Sequence, residues 1–136
     1  MTHAIPIKVR FYELDPYNHL NHAAYIQYFE TARIELLMES GYDLAAMMND
    51  GVMIVVTEIH TRFLASAVAG DELVVETEVV EFKRVTSMWR QRLLRHGELI
   101  ASQDLRAALI DLDGRPIRFP ETMIEALRPY QAEVDG

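Results

Sequence analysis

The stretch from Glu13 to Arg33, ELDPYNHLNHAAYIQYFETAR, decides how the rest of the chain is read. Its first half is a polar loop holding Asp15, Asn18, His19, Asn21 and His22. At Ala23 the pattern switches to apolar residues at spacings of three and four, with Tyr25, Phe29, Ala32, Leu36 and Leu37 on one face. That spacing predicts a long amphipathic helix over Ala23–Ser40, ended by Gly41. The chain is therefore organised around a helix with a polar mouth.

Such a mouth has chemical potential. The first backbone N–H groups of a helix lack intrahelical partners and carry partial positive charge, so they can hold a carbonyl oxygen as it becomes an oxyanion. The small residues Ala23 and Ala24 leave room for a carbonyl to reach the amides of His22 and Ala23. Asp15, a few residues upstream, can curl over the same point as a general base on water or as a nucleophile. Plainer roles exist for each residue. Asp15-Pro16 is a common turn opening and Asn21 a good N-cap. His19 and His22 have an i, i+3 spacing but lack a third ligand nearby for zinc. Glu30 and Arg33 are spaced as an i, i+3 ion pair, with a substrate-facing Glu30 as the alternative.

Outward from this stretch the pattern changes to period two. Ile5, Ile7, Val9 and Phe11 alternate with Lys8 and Arg10, predicting a strand over Ala4–Tyr12. Tyr42–Met48 reads as a short helix or loop whose methionines either fill core or line an apolar pocket, and Asn49-Asp50-Gly51 as a turn. Four further strands follow at Val52–Phe63, Glu72–Phe82, Thr86–His96 and Leu99–Asp111. Turn signals separate the four from one another: Ala69-Gly70-Asp71, Lys83-Arg84 and His96-Gly97-Glu98. Asp111 and Asp113 offer too few ligands for calcium. A last helix is predicted from Pro120 to about Leu127, with a frayed tail from Arg128. One strand, one long helix and four strands make an α+β fold, a single antiparallel sheet curled around the helix. Its exposed edge predicts pairing of subunits edge to edge.

Composition narrows the function classes. The chain has 136 residues, enough for one domain with its own core, and residues 1–136 are read as one such unit. It has no cysteine, which excludes disulfides, thiolate nucleophiles and cysteine metal sites. The net charge of -8 argues against general nucleic-acid binding. No signal-peptide pattern occurs, and no run approaches the roughly 18 apolar residues of a membrane span. A soluble, cytoplasmic protein without metal or cofactor is the expectation.

The run D-P-Y-N-H-L-N-H-A-A-Y from Asp15 to Tyr25, with Phe29-Glu30 and Arg33, resembles the signature of hotdog-fold acyl-CoA thioesterases of the 4-hydroxybenzoyl-CoA thioesterase type. Gly70-Asp71-Glu72-Leu73, Ser87 and Asp111 through Pro116 extend the resemblance over about Lys8 to Pro120. It implies that Asp15 is the catalytic carboxylate, that the His22 amide polarises the thioester carbonyl, and that Tyr25 is the motif tyrosine. His22 is also a candidate catalytic side chain, and Asn18, His19 and Ala23 candidate substrate contacts. The implied substrate is an acyl-CoA, and the implied assembly a homodimer or homotetramer with sites between subunits. Coenzyme A phosphates need a local basic patch, for which Lys83-Arg84 is the best candidate, with Arg62 and Arg90 as contributors. Alternatives are an enoyl-CoA hydratase, an acyl-carrier-protein substrate, and an acyl-CoA-binding protein without catalysis.

Overall fold

The computed structural model describes residues 1–132. Strands β1 (His3–Lys8), β2 (Val52–Phe63), β3 (Glu72–Phe82), β4 (Thr86–Arg95) and β5 (Glu98–Asp111) form one antiparallel sheet in the order β1-β3-β4-β5-β2. Helices α1 (His22–Glu39), α2 (Leu44–Asn49) and α3 (Glu121–Leu127) accompany it. The sheet curls around α1, which buries Ala24, Tyr25, Tyr28, Phe29, Ala32, Leu36 and Leu37. Each large side chain fully removed from water there contributes about 1.5–3 kcal/mol.

Register decides which strand residues meet the helix. Residues paired directly across strands share a face, so Val75, Leu93 and Ala101 form one row and Val79, Trp89 and Leu105 another. The first row packs with Tyr25 and Phe29, the second with Leu36, Leu37, Phe119 and Met123. Between them lies a polar row, Thr77, Gln91 and Gln103, all fully or almost fully buried. The opposite face alternates charges, with Arg92 on Glu76 at 3.3 Å, Arg90 on Asp104 at 3.4 Å and Arg106 on Glu58 at 3.5 Å. Exposed pairs of this kind are worth about 0–1 kcal/mol each, so the packed face supplies most of the stability.

The two sheet edges differ. β1 is short and contains Pro6, which cannot donate to a further strand. β2 is twice as long, and its inner-face residues Val56, Ile59 and Phe63 stay 43%, 45% and 47% exposed. Long apolar edges of this kind are templates for pairing.

Three expectations are corrected. The first strand stops at Lys8 rather than Tyr12, because Phe11–Glu13 is a 3₁₀ turn closed by the Glu13 carboxylate accepting from the Arg10 amide at 2.9 Å. Phe11 and Tyr12 consequently face solvent. The tail after Arg128 is ordered as far as Ala132: Arg128–Tyr130 forms a 3₁₀ turn and the Ala132 amide donates to the Val79 carbonyl at 2.7 Å. The rest of that expectation, over 133–136, lies outside the described residues. Finally, Arg33 forms no ion pair with Glu30. Its guanidinium turns into the sheet, where one nitrogen donates to the Gln91 and Gln103 side-chain carbonyls at 2.8 and 2.9 Å.

Candidate active site

The loop before α1 is held by its own polar groups. The Asp15 amide donates to the His19 carbonyl at 2.7 Å, the Asn18 amide to the Asp15 carbonyl at 3.0 Å, and Leu14 and Leu20 form an isolated β-bridge. Asn18 sits at φ 64°, the left-handed region that asparagine tolerates better than most residues. One oxygen of the Asp15 carboxylate accepts from the amides of Tyr17 and His19, at 2.8 and 3.2 Å. Its other oxygen makes no hydrogen bond among the described residues, so the carboxylate is aimed by the loop without being used up.

The helix start divides its amides. Asn21 caps α1, its side chain accepting from the Ala23 amide at 2.9 Å, and the Ala24 amide donates to the Asn21 carbonyl at the same distance. The His22 amide has no partner among the described residues. Of the two amides singled out from sequence, one therefore caps the helix and the other remains open to a ligand.

Asp15, His19, His22 and Tyr25 line one open cleft of about 390 Å³ with Phe63 and Ser66. Tyr25 forms its floor: the ring meets Phe63 edge-on at 5.2 Å and the hydroxyl donates to the Ala65 carbonyl at 3.0 Å. Burial pushes that phenol above the usual tyrosine range. The His22 ring stands edge-on to Phe63 at 6.4 Å, so it lies over the cleft wall. Ala23 is exposed beside it, and Asn18 is exposed at the loop tip.

Other residues expected at the site lie elsewhere in the protomer. Arg62 is paired with Ser102 on the charged face of the sheet, its guanidinium 3.4 Å from the His60 ring nitrogen. Lys83 and Arg84 are exposed in the β3–β4 turn. That turn is at the end of the sheet opposite the cleft, since Phe63 pairs with Ala101 and Arg95 reaches the carbonyl of Ser66. Arg90 is taken by Glu78 and Asp104.

One supporting residue escaped the sequence reading. Glu13 accepts from the Tyr28 hydroxyl at 2.6 Å through its carboxylate and from the Asn21 amide at 2.9 Å through its carbonyl. It thus clamps both stems of the Asp15 loop to α1. Its place two residues before Asp15, with Tyr28 on the apolar face, was the available signal. Burial first, then the Glu13 carboxylate, raises the Tyr28 phenol far above its ordinary range. Among the described residues no three His, Asp or Glu side chains cluster as metal ligands.

An acid and the first helix residue lining one cleft, on a sheet wrapped around a helix, define a candidate acyl-transfer hydrolase of the hotdog type. Residues 9–127 match the family model of the thioesterase-like superfamily, and the chain belongs to that superfamily. It is 30% identical to the long-chain acyl-CoA thioesterase FadM of Escherichia coli, over 78% of this chain and 81% of that protein. It is 29% identical to the acyl-CoA thioesterase YbgC of Haemophilus influenzae, over 87% and 88% of the two chains. The 1,4-dihydroxy-2-naphthoyl-CoA thioesterase Slr0204 of Synechocystis shares the fold at a TM-score of 0.88, with 15% identity over 94% of this chain and 96% of the other. The architecture is thus the hotdog fold.

Proposed function

We propose that this protein is a cytoplasmic acyl-CoA thioesterase, releasing a free acid and coenzyme A, with residues 1–136 as a single catalytic domain. The observation that carries the proposal is the shared cleft, lined by both Asp15, whose carboxylate has one oxygen unengaged among the described residues, and His22, whose helix-end amide is unpartnered among them. The Asp15 carboxylate takes a proton from water as the oxygen attacks the thioester carbon, or attacks that carbon itself to form a mixed anhydride that water then hydrolyses. The carbonyl oxygen gathers negative charge against the His22 amide, the C–S bond breaks, and the departing thiolate takes up a proton. His22 and His19 contact the thioester end, Asn18 and Ala23 shape the entry, and Tyr25 supports the floor. The 4-hydroxybenzoyl-CoA type belongs to the same proposal and rests on the motif from Asp15 to Tyr25.

The proposed assembly is a homodimer through β2, with a homotetramer formed by pairing charged faces. Its support is the bare apolar edge of β2. Antiparallel pairing of two β2 strands reverses the partner's sheet, so its Lys83-Arg84 turn arrives at the end that holds this protomer's Asp15. There the two basic residues meet coenzyme A phosphates, a role that Arg62, on the far face, serves only at the rim. The test is a panel of acyl-CoA esters with a thiol-reactive reporter. Thiol release by the parent and its loss in Asp15→Asn is the expected outcome. Equal turnover by Asp15→Asn would overturn the assignment, as would water addition to an enoyl-CoA without thiol release.

A further inference from the structure

Arg33 is the anomaly of the interior. Burial lowers its guanidinium from the ordinary value to about 10, yet no carboxylate lies within ion-pair distance among the described residues. One nitrogen is held by the Gln91 and Gln103 carbonyls. Those glutamines are fixed in turn, Gln91 donating to the Phe29 carbonyl and Thr77, Gln103 to Thr61. The cation is therefore rigidly aimed while its remaining N–H groups stay free of protein acceptors. Arg33 as a residue is half-buried and its unbonded guanidinium nitrogens keep contact with solvent, so they are open to an incoming acceptor.

The space beside it is small and apolar. A cavity of about 90 Å³ lies against Arg33, with Glu30 also on its lining and apolar walls of Ile34, Leu37, Ile54, Trp89 and Leu105. A row of β2 residues lies between the cleft and the cavity. Phe63, Ile59 and Val56 pair with the buried residues Ala101, Leu105 and Ala107, so all three lie exposed on the inner face of β2, with Thr61, paired with Gln103, the polar residue between Ile59 and Phe63. Phe63 is in the cleft and Val56 lines the cavity. Along α1 the distance from His22 to Arg33 is roughly 16 Å, the span of about a dozen bonds of extended chain.

We infer that the cavity at Arg33 is the terminal subsite for the acyl chain, and that the guanidinium selects a chain carrying an acceptor oxygen at its far end. The inference rests on the thioesterase proposal and adds the class of substrate: a medium-length acyl group ending in a hydroxyl, oxo or carboxylate oxygen. Tail carbons lie along the row from Phe63 to Val56. The end oxygen accepts from the unengaged N–H groups and supplies the partner the cation lacks. Chains that stop short forgo that bond and leave part of the apolar wall uncovered.

The experiment compares kcat/KM for saturated acyl-CoA esters of stepped length with their ω-hydroxy, ω-oxo and ω-carboxy counterparts, in the parent, Arg33→Met and Ala107→Leu. The parent is expected to favour one or more oxygen-ended series at least tenfold at the length that reaches the cavity. The hydroxy and carboxy arms identify whether a neutral or an anionic oxygen is preferred. Arg33→Met abolishes that preference while keeping turnover of short unsubstituted esters. Ala107→Leu, which leaves the guanidinium in place, fills the cavity and loses the longer esters only, so the test survives if Arg33→Met does not fold. A parent that hydrolyses all series with no preference overturns the subsite and leaves the thioesterase intact. A parent that hydrolyses none overturns both.

Discussion

The first turn and the middle of α1 both carry polar groups, yet they are finished in opposite ways. At the first turn, Asp15 keeps one oxygen free and the His22 amide is open. At the middle, the Arg33, Gln91, Gln103, Thr77 and Thr61 side chains interlock between two apolar clusters. The difference teaches that incomplete satisfaction at the surface of a fold is affordable and chemically useful, whereas in the interior most bonds must close.

Substitutions can break this contrast. Asp15→Asn keeps an oxygen for the Tyr17 and His19 amides, so it should lower kcat by about 10² to 10⁴ with an unchanged melting temperature. Stopped-assay rates and a thermal scan on one preparation decide it. Gln91→Leu inverts the pattern: it removes one of the two carbonyls that hold the Arg33 cation and takes the Gln91 donor from the buried Thr77 hydroxyl, and should cost about 1–3 kcal/mol in urea unfolding while the folded fraction still turns over. Tyr28→Phe falls between the two. Losing the bond to the Glu13 carboxylate should cost about 1.5 kcal/mol and a severalfold drop in kcat, with KM little changed.

The smallest expected effect lies behind the cleft, where Arg95 bridges Asp71 and the Ser66 carbonyl. Asp71 accepts from the Val68 amide at 3.0 Å and from Arg95 at 3.0 Å, and the Val68 bond leads in holding its carboxyl below the usual aspartate range. A carboxyl lowered in the folded state favours folding above its unfolded value near 4 and loses that contribution as pH falls through the folded one. Thermal stability should therefore decline below about pH 4 in the parent and decline less in Asp71→Asn. Equal slopes would remove Asp71 from the account.

What the chain declared in advance was local. The strand runs of β3 and β4 and the three-four spacing of α1 each depend on residues a few positions apart, and both are present in the fold. The Asp15 loop was legible because its bonds close within four residues. Arg33 was not, since its acceptors lie 58 and 70 positions away, and only the folded register brings Gln91 beside Gln103. The same limit hid Glu13, whose Tyr28 partner is 15 residues on, and made Arg62 look available when strand parity sends it to the other face. Phe11 and Tyr12 misled for the opposite reason: the alternation continued past Lys8 while a local carboxylate bond turned the chain away.

The register of β2 against β5 slips between Val56 and Glu58, leaving an extra residue at Thr57. A bulge of this kind bends and overtwists its strand. In the proposed dimer a copy pairs with such an edge only where its own bend complements the first, which would limit recruitment to a closed pair. Flat cross-β stacking, which needs uniform pleats repeated chain after chain, finds no template here despite the length of the bare edge. The protein should stay free of fibrils at concentrations where an unbent strand of the same composition would not.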